Sequence, residues 1–268
     1  MNIRLNEQPI EVADDATLFG VRERFKPEAD VVILNGFPVQ EDQALGEDDR
    51  VVLIRRGEQP SPQELEALMA SRHTPGVHAQ VKRATVSIAG VGGLGSAVAV
   101  ALARIGVGRL VIADFDVVEP SNLNRQQFFV DQIGLPKVEA LRGNLARINP
   151  YVEVSTFDGR LETGNIARIF AQADVVVEAF DAADQKAMLV ETCRTRLPQV
   201  PVVAASGLAG YAPSNSVTTR RAGTNFYLVG DGETAARPGE GLMAPRVGIA
   251  AHHQANAVLR LLLGEDPA

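Results

Sequence analysis

A short apolar run, Val86-Ser-Ile-Ala89, ends in Gly90-Val-Gly92-Gly93-Leu-Gly95 and passes directly into an Ala-rich stretch from Leu94 to Ile105. This reads as a strand, a turn tight enough to need glycine, and a helix whose first amides face the turn. The arrangement constrains the chain to an α/β sheet with a ligand-facing edge. Its glycines let backbone N–H groups come close to phosphate oxygens at the positive end of a helix. On the glycines alone, a tight strand-to-helix turn without a ligand stays open beside a nucleotide site.

The next elements narrow that choice. A second apolar strand, Leu110–Ala113, ends in Asp114, where a carboxylate is expected to meet ribose hydroxyls. Asp116 and Asn122 follow, then Gln126; Arg125 lies eleven residues after Asp114, and Lys137 twelve residues further on. In a doubly wound sheet these positions fall near the carboxyl ends of the strands, where ligands bind. A nicotinamide enzyme needs one acid there and little cationic charge. A triphosphate enzyme needs several cations, because charge accumulates on the leaving pyrophosphate. ATP therefore fits better than NAD.

Asp181 ends a further apolar strand, Asp174–Phe180, and is expected at the same edge. Its carboxylate suits Mg²⁺, since ATP reacts as its magnesium complex. A helix N-cap is the alternative for Asp181, with Asp184 competing for the cap.

Residues from about Arg72 to Gly264 resemble the ThiF/MoeB family, bacterial relatives of ubiquitin-activating enzymes. The resemblance rests on Gly90–Gly95, Asp114-Phe-Asp116, Ser121-Asn-Leu-Asn-Arg-Gln126, Gly134-Leu-Pro-Lys137, Asp174–Asp181 and Gly241–Gly248. It implies adenylation of the C-terminal glycine of a small sulfur carrier ending in Gly-Gly, with ATP and Mg²⁺. It gives Arg125 and Lys137 to the phosphates and Asp181 to the metal. Gly90, Gly92, Gly93, Gly95, Asp114, Asp116, Asn122 and Gln126 go to the nucleotide. It also implies a homodimer in which Arg72 reaches the neighbouring subunit's site. Ala182 departs from the pattern, because relatives usually carry an amide after the aspartate. Some relatives use a cysteine to form a covalent link to the carrier. Cys193 reads instead as a small buried hydrophobe. The four zinc cysteines of many relatives are missing, so no zinc is expected. His73, His78, His252 and His253 have no ligand spacing.

Residues 1–57 read differently. Strand signals at Ile3–Asn6, Ile10–Val12, Val31–Leu34 and Arg50–Arg55, with a helix over Thr17–Phe25, follow the ββαββ order of a β-grasp fold. They resemble ThiS, the sulfur carrier of thiamine biosynthesis, which favours that pathway over molybdopterin. A working carrier ends in a free Gly-Gly carboxylate. Here Arg56-Gly57 continues into Glu58-Gln-Pro-Ser-Pro62, a linker, then a connecting helix to Ser71. The front domain is therefore expected to be inert unless the chain is cut. The expected architecture is β-grasp (1–57), linker and helix (58–71), then a mostly parallel Rossmann-like sheet with helices on both faces (72–268).

With 268 residues, 46% hydrophobic, the chain can bury a full α/β core. A net charge of −7 argues against nucleic-acid or anionic-membrane partners. No run of eighteen apolar residues occurs and the start is polar, so a soluble cytoplasmic protein is expected. A catalytically silent binding protein and an NAD-linked oxidoreductase are the rival readings. The first is opposed by Arg125, Lys137 and Asp181, the second by the cations after Asp116.

Overall fold

The computed structural model describes residues 1–72, 76–238 and 240–268, without the side chains of 71 and 72. It falls into two compact units, Met1–His78 and Ala79–Ala268.

In the first unit β1 (Asn2–Leu5) and β2 (Gln8–Glu11) form a hairpin, followed by α1 (Leu18–Phe25), β3 (Val31–Leu34), β4 (Phe37–Pro38) and β5 (Arg50–Ile54). The sheet order is β2-β1-β5-β3-β4, with β1 and β5 parallel. The hairpin turns carry positive φ at Asn6 (47°) and Glu7 (66°), and at Asn35 (52°) and Gly36 (89°). That is the backbone which matches the right-handed twist of paired strands. Thr17 caps α1 by accepting from the Gly20 amide at 3.2 Å. Ile3, Leu18, Val21, Val32, Val51 and Leu53 form the core, so alternate residues of each strand face the helix. The short β4 is an addition to the expected ββαββ order.

The segment expected to be a linker and helix lies inside this first unit and carries α2 (Pro62–Arg72). Asn6 Nδ2 donates to Glu64 Oε1 at 2.5 Å, and Lys26 Nζ pairs with Glu58 at 2.9 Å.

A short helix, α3 (Val77–Arg83), crosses into the second unit. There β6 (Thr85–Ala89), α4 (Gly93–Arg104), β7 (Arg109–Asp114), α5 (Lys137–Ile148) and β8 (Glu153–Asp158) alternate. Then come α6 (Ile166–Ile169), β9 (Val175–Glu178), α7 (Ala183–Arg196) and β10 (Val202–Ala205). The chain closes with β11 (Thr218–Gly223), β12 (Phe226–Gly230) and α8 (Ala244–Leu262). The sheet order is β11-β12-β10-β9-β6-β7-β8, parallel except for the β11–β12 hairpin.

Both faces of the central strands β6, β7, β9 and β10 are buried, which is why these read as continuous apolar runs. Ala89, Val111, Ala113 and Val176 pack with Phe170, Leu189 and Cys193 on the side of α6 and α7. Their neighbours Ile88, Leu110, Ile112 and Val177 are equally buried and must face the other way. The chain leaves β6 toward β7 and β8, then returns to place β9 on the other flank of β6. That reversal opens a crevice beyond the carboxyl ends of β6 and β9, the place where such sheets bind ligands.

Between β8 and β9 the helix is only the single turn of α6. Asn165 uses its side chain on the backbone, accepting from Glu162 N–H at 2.9 Å and donating to Arg160 O at 3.0 Å. These local bonds compete with a helical ladder. Among the described residues, no helix is long and apolar enough to cross a membrane.

Candidate active site

A cleft of about 500 Å³ sits at the reversal point. It is lined by Gly90, Gly92, Gly93, Asp114, Asp116, Arg125, Gln126, Lys137 and Asp181, which the sequence singles out. The glycines shape its floor. Gly90 has φ +86°, and a Cβ there would lie 2.9 Å from the Ala179 carbonyl oxygen. Only glycine lets the turn after β6 meet the turn after β9 at that distance. Gly95 lies behind the cleft rather than in it. A Cβ on Gly95 would stand 1.9 Å from Gly90 O, so its place is the tight packing of α4 onto the turn.

Asp114 closes the turn from the β7 side. Its Oδ2 accepts from Val91 N–H at 2.7 Å and its Oδ1 from Asp116 N–H at 2.9 Å. Burial pushes this carboxyl up from its ordinary range, against those two N–H bonds and the charge of Lys137. Each oxygen keeps a lone pair for a ligand hydroxyl.

The two cations are held differently. Lys137, the first residue of α5, is almost completely buried and its Nζ lies 2.8 Å from Asp116 Oδ2. Arg125 is half-buried; its Nη1 donates to Asn124 Oδ1 at 2.8 Å and to Ser121 O at 3.3 Å. Among the described residues no carboxylate pairs with Arg125, so its charge is available to an anion in the cleft. Gln126 is buried beside it, and its Oε1 is a buried acceptor with no protein donor. Asn122 does not line the cleft. Its Oδ1 accepts from Glu119 N–H at 3.1 Å, fixing the single turn Pro120–Asn122 that aims Arg125. Side-chain geometry at Arg72 lies outside the described residues.

Asp181 is exposed at the cleft wall, three residues past the end of β9. Ala182 is the N-cap of α7 and makes no side-chain cap bond, so neither Asp181 nor Asp184 serves as the cap. Beneath Asp181 lies a pair that sequence reasoning missed. Glu178 is fully buried and binds Lys186 Nζ through both oxygens at 3.0 Å. The signal was available: a glutamate inside an otherwise apolar strand needs a buried cation. Arg160 and Phe115 were also missed; both line the cleft, with the guanidinium carbon 4.2 Å from the ring centroid.

The far wall comes from Ser206–Ala209, Thr234–Ala236 and Leu242. It is fixed by Arg246, 2% exposed, whose Nη2 reaches Asp231 Oδ2 at 2.5 Å and Ser216 Oγ at 3.1 Å. Burial works to raise the Asp231 carboxyl, but the amides of Thr234 and Glu233, the Thr234 hydroxyl and Arg246 together hold it down at about 2. Ala182, Ala183, Ala205, Ala209, Ala235 and Ala236 contribute small side chains to the cleft, beside Leu208 and Leu242.

Comparison with known proteins identifies the family of each part. A model of the ThiF family matches residues 67–268, and one of ThiS-like ubiquitin matches 1–57. Molybdopterin-synthase adenylyltransferase of Salmonella typhimurium is 33% identical over 186 residues, 68% of this chain and 74% of that protein. Its Escherichia coli K12 counterpart is 34% identical over 189 residues, 69% and 75% of the two chains. The tRNA threonylcarbamoyladenosine dehydratase of Bacillus subtilis is 36% identical over 131 residues, 48% of this chain and 51% of that protein. Among solved structures, the E. coli dehydratase TcdA in complex with AMP superposes with a TM-score of 0.67. That match covers 73% of this chain and 93% of TcdA at 22% identity, a likeness of fold alone. The family match takes in the glycine turn, Arg125, Lys137 and Asp181, and on it this chain belongs to the ThiF family, with a ThiS-like ubiquitin domain in front.

Proposed function

We propose that this chain is a cytoplasmic, ATP-dependent adenylyltransferase that activates the C-terminal glycine carboxylate of a ThiS-like sulfur carrier ending in Gly-Gly. The observation that carries this reading is the meeting of Arg125, Lys137 and Asp181 in one cleft around the Gly90 turn. The ThiS-like front domain favours thiamine biosynthesis as the pathway.

In this reaction a carboxylate oxygen of the carrier bonds to the α-phosphorus of ATP. The bond from that phosphorus to the bridging oxygen breaks, and pyrophosphate leaves with the electron pair. No general base is required, because a C-terminal carboxylate is ionised at neutral pH. What the protein contributes is position and fixed positive charge. Arg125 and Lys137 face the phosphates, Asp114 and Asp116 the ribose side, and the glycine tail lies along the small side chains of Ala182, Ala183 and Ala205. Magnesium, when bound, neutralises phosphate charge. Asp181 is the residue that would hold it. One carboxylate together with substrate phosphates is a donor set this ion accepts, and among the described residues no three His, Cys, Asp or Glu converge into a cage of their own. The chain works as a homodimer in this reading, with Arg72 of each subunit adding a cation to its neighbour's site.

Pyrophosphate release from Mg·ATP, with Gly-Gly-terminated carriers added one at a time, tests the reading. Release that depends on carrier supports it, and a faster rate with a ThiS-like carrier supports the pathway. Arg125→Ala should lower the rate by roughly 10²-fold. ATP binding without carrier-dependent release would make the chain a silent binding protein instead.

A further inference from the structure

Asp181 is exposed and makes no side-chain hydrogen bond or ion pair among the described residues, so its position depends on the turn that carries it. That turn is closed by an ion pair. Glu178, the last residue of β9, accepts from Phe180 N–H at 2.7 Å through Oε1. Lys186, one turn into α7, donates to Oε1 and Oε2 of Glu178 at 3.0 Å each. Segment 178–186, with Asp181 at its crest, is thereby drawn into a ring. The same ammonium donates to Ala205 O at 3.1 Å, tying the end of β10 to the ring. On the other flank Ala179 N–H donates to Ala89 O at 2.9 Å, and the Ala179 carbonyl rests against Gly90. One ion pair thus links the glycine turn, the Asp181 turn and the far wall of the cleft.

A purely structural role accounts poorly for this choice of residues. Burying Glu178 completely and most of Lys186 (side chain 24% exposed) forfeits much of their hydration, and an apolar pair of similar volume stabilises a core as well or better. What an ion pair adds is direction. It fixes several hydrogen-bonded atoms in one geometry, as the outer partners of metal ligands do.

We propose that Glu178 and Lys186 are positioning residues that place Asp181 for the magnesium of bound Mg·ATP. This rests on the reading of Asp181 as the magnesium partner. Lys186 lines the cleft, but its ammonium has three hydrogens and three acceptors, Glu178 Oε1, Glu178 Oε2 and Ala205 O, so the pair acts through the turn.

The experiment uses the full chain and two readouts: ATP affinity by calorimetry with and without Mg²⁺, and the Mg²⁺ concentration giving half-maximal pyrophosphate release. The double variant Glu178→Gln/Lys186→Met removes both charges together, so neither is left buried alone. It should bind metal-free ATP as the parent does, lose the gain in affinity that Mg²⁺ confers, and need about tenfold more Mg²⁺ for half-maximal release. Lys186→Arg should restore most of the loss. If the double variant does not fold, Lys186→Gln carries the same comparison, because it keeps a donor to Glu178. A folded variant with unchanged Mg²⁺ dependence of ATP binding overturns the proposal. Asp181→Asn separates the two levels. If it too leaves the Mg²⁺ dependence unchanged, the reading of Asp181 fails; if it alone shifts it, only the positioning role fails.

Discussion

Lys137 Nζ lies 2.8 Å from Asp116 Oδ2, with the lysine side chain 7% exposed and the aspartate 49%. The cation is enclosed while its counter-charge faces the cleft. An incoming phosphate can therefore share the ammonium without first stripping it of water, the condition in which fixed charge is most effective. Lys137→Met keeps much of the stem's volume and removes the charge. Pyrophosphate release should fall by roughly 10²-fold while thermal stability holds. Lys137→Arg should not restore the rate, because a planar fork does not fit a pocket built around a compact ammonium. Steady-state kinetics on the two variants, with melting curves alongside, check both statements.

Asp231 and Arg246 give the fold a marked acid sensitivity. The Asp231 carboxyl is held at about 2, below its ordinary 3.8. Its contribution is thus fully present above 3.8 and fades as pH falls through about 2. Asp231→Asn leaves the buried guanidinium without its counter-charge and should destabilise the protein by roughly 3–5 kcal/mol at pH 7. The difference between parent and variant should shrink steadily from pH 4 toward pH 2. Urea unfolding across that range reads it directly; a pH-independent difference would mean the pair is not what stabilises the wall.

Cys193 is fully buried among Phe170, Leu189 and Val202, and burial pushes its thiol up to about 11. The nucleophile of thiol chemistry is the thiolate. Native protein at pH 8 should therefore resist alkylation by iodoacetamide, and become reactive on unfolding. Cys193→Ala should lose stability through the small cavity it leaves but keep pyrophosphate release. Rapid labelling of the native protein would contradict the burial; loss of release in a folded variant would give the thiol a part in the chemistry.

The front domain should not be adenylated in the intact chain. Gly57 is exposed at φ +77° and is followed by Glu58, whose amide donates to Arg55 O at 3.2 Å. Its carbonyl belongs to a neutral peptide bond and lacks the nucleophilic oxygen that activation needs. Mass spectrometry after incubation with Mg·ATP and no added carrier should show the unmodified chain. An adenylate mapped to Gly57 in a cleaved fragment would turn the protein into a self-processing fusion of carrier and enzyme.

Much of this molecule is determined by local sequence. The Gly90–Gly95 turn, the apolar runs of β6, β7, β9 and β10, and the hairpins of the front unit follow from backbone sterics and burial. Those forces act over a few residues, and position along a parallel sheet then carries Asp114, Asp116, Arg125, Lys137 and Asp181 to one edge. Other features depend on residues far apart in the chain meeting in space. Nothing near Asn122 says that its amide will fix a turn while Arg125 beside it faces the cleft. Likewise Arg246 and Asp231 are fifteen residues apart, and Lys186 reaches Ala205 across nineteen. A buried charge requires a partner, but the sequence does not say which one. That is decided when the strands align, because only the packed sheet removes water from both members of each pair.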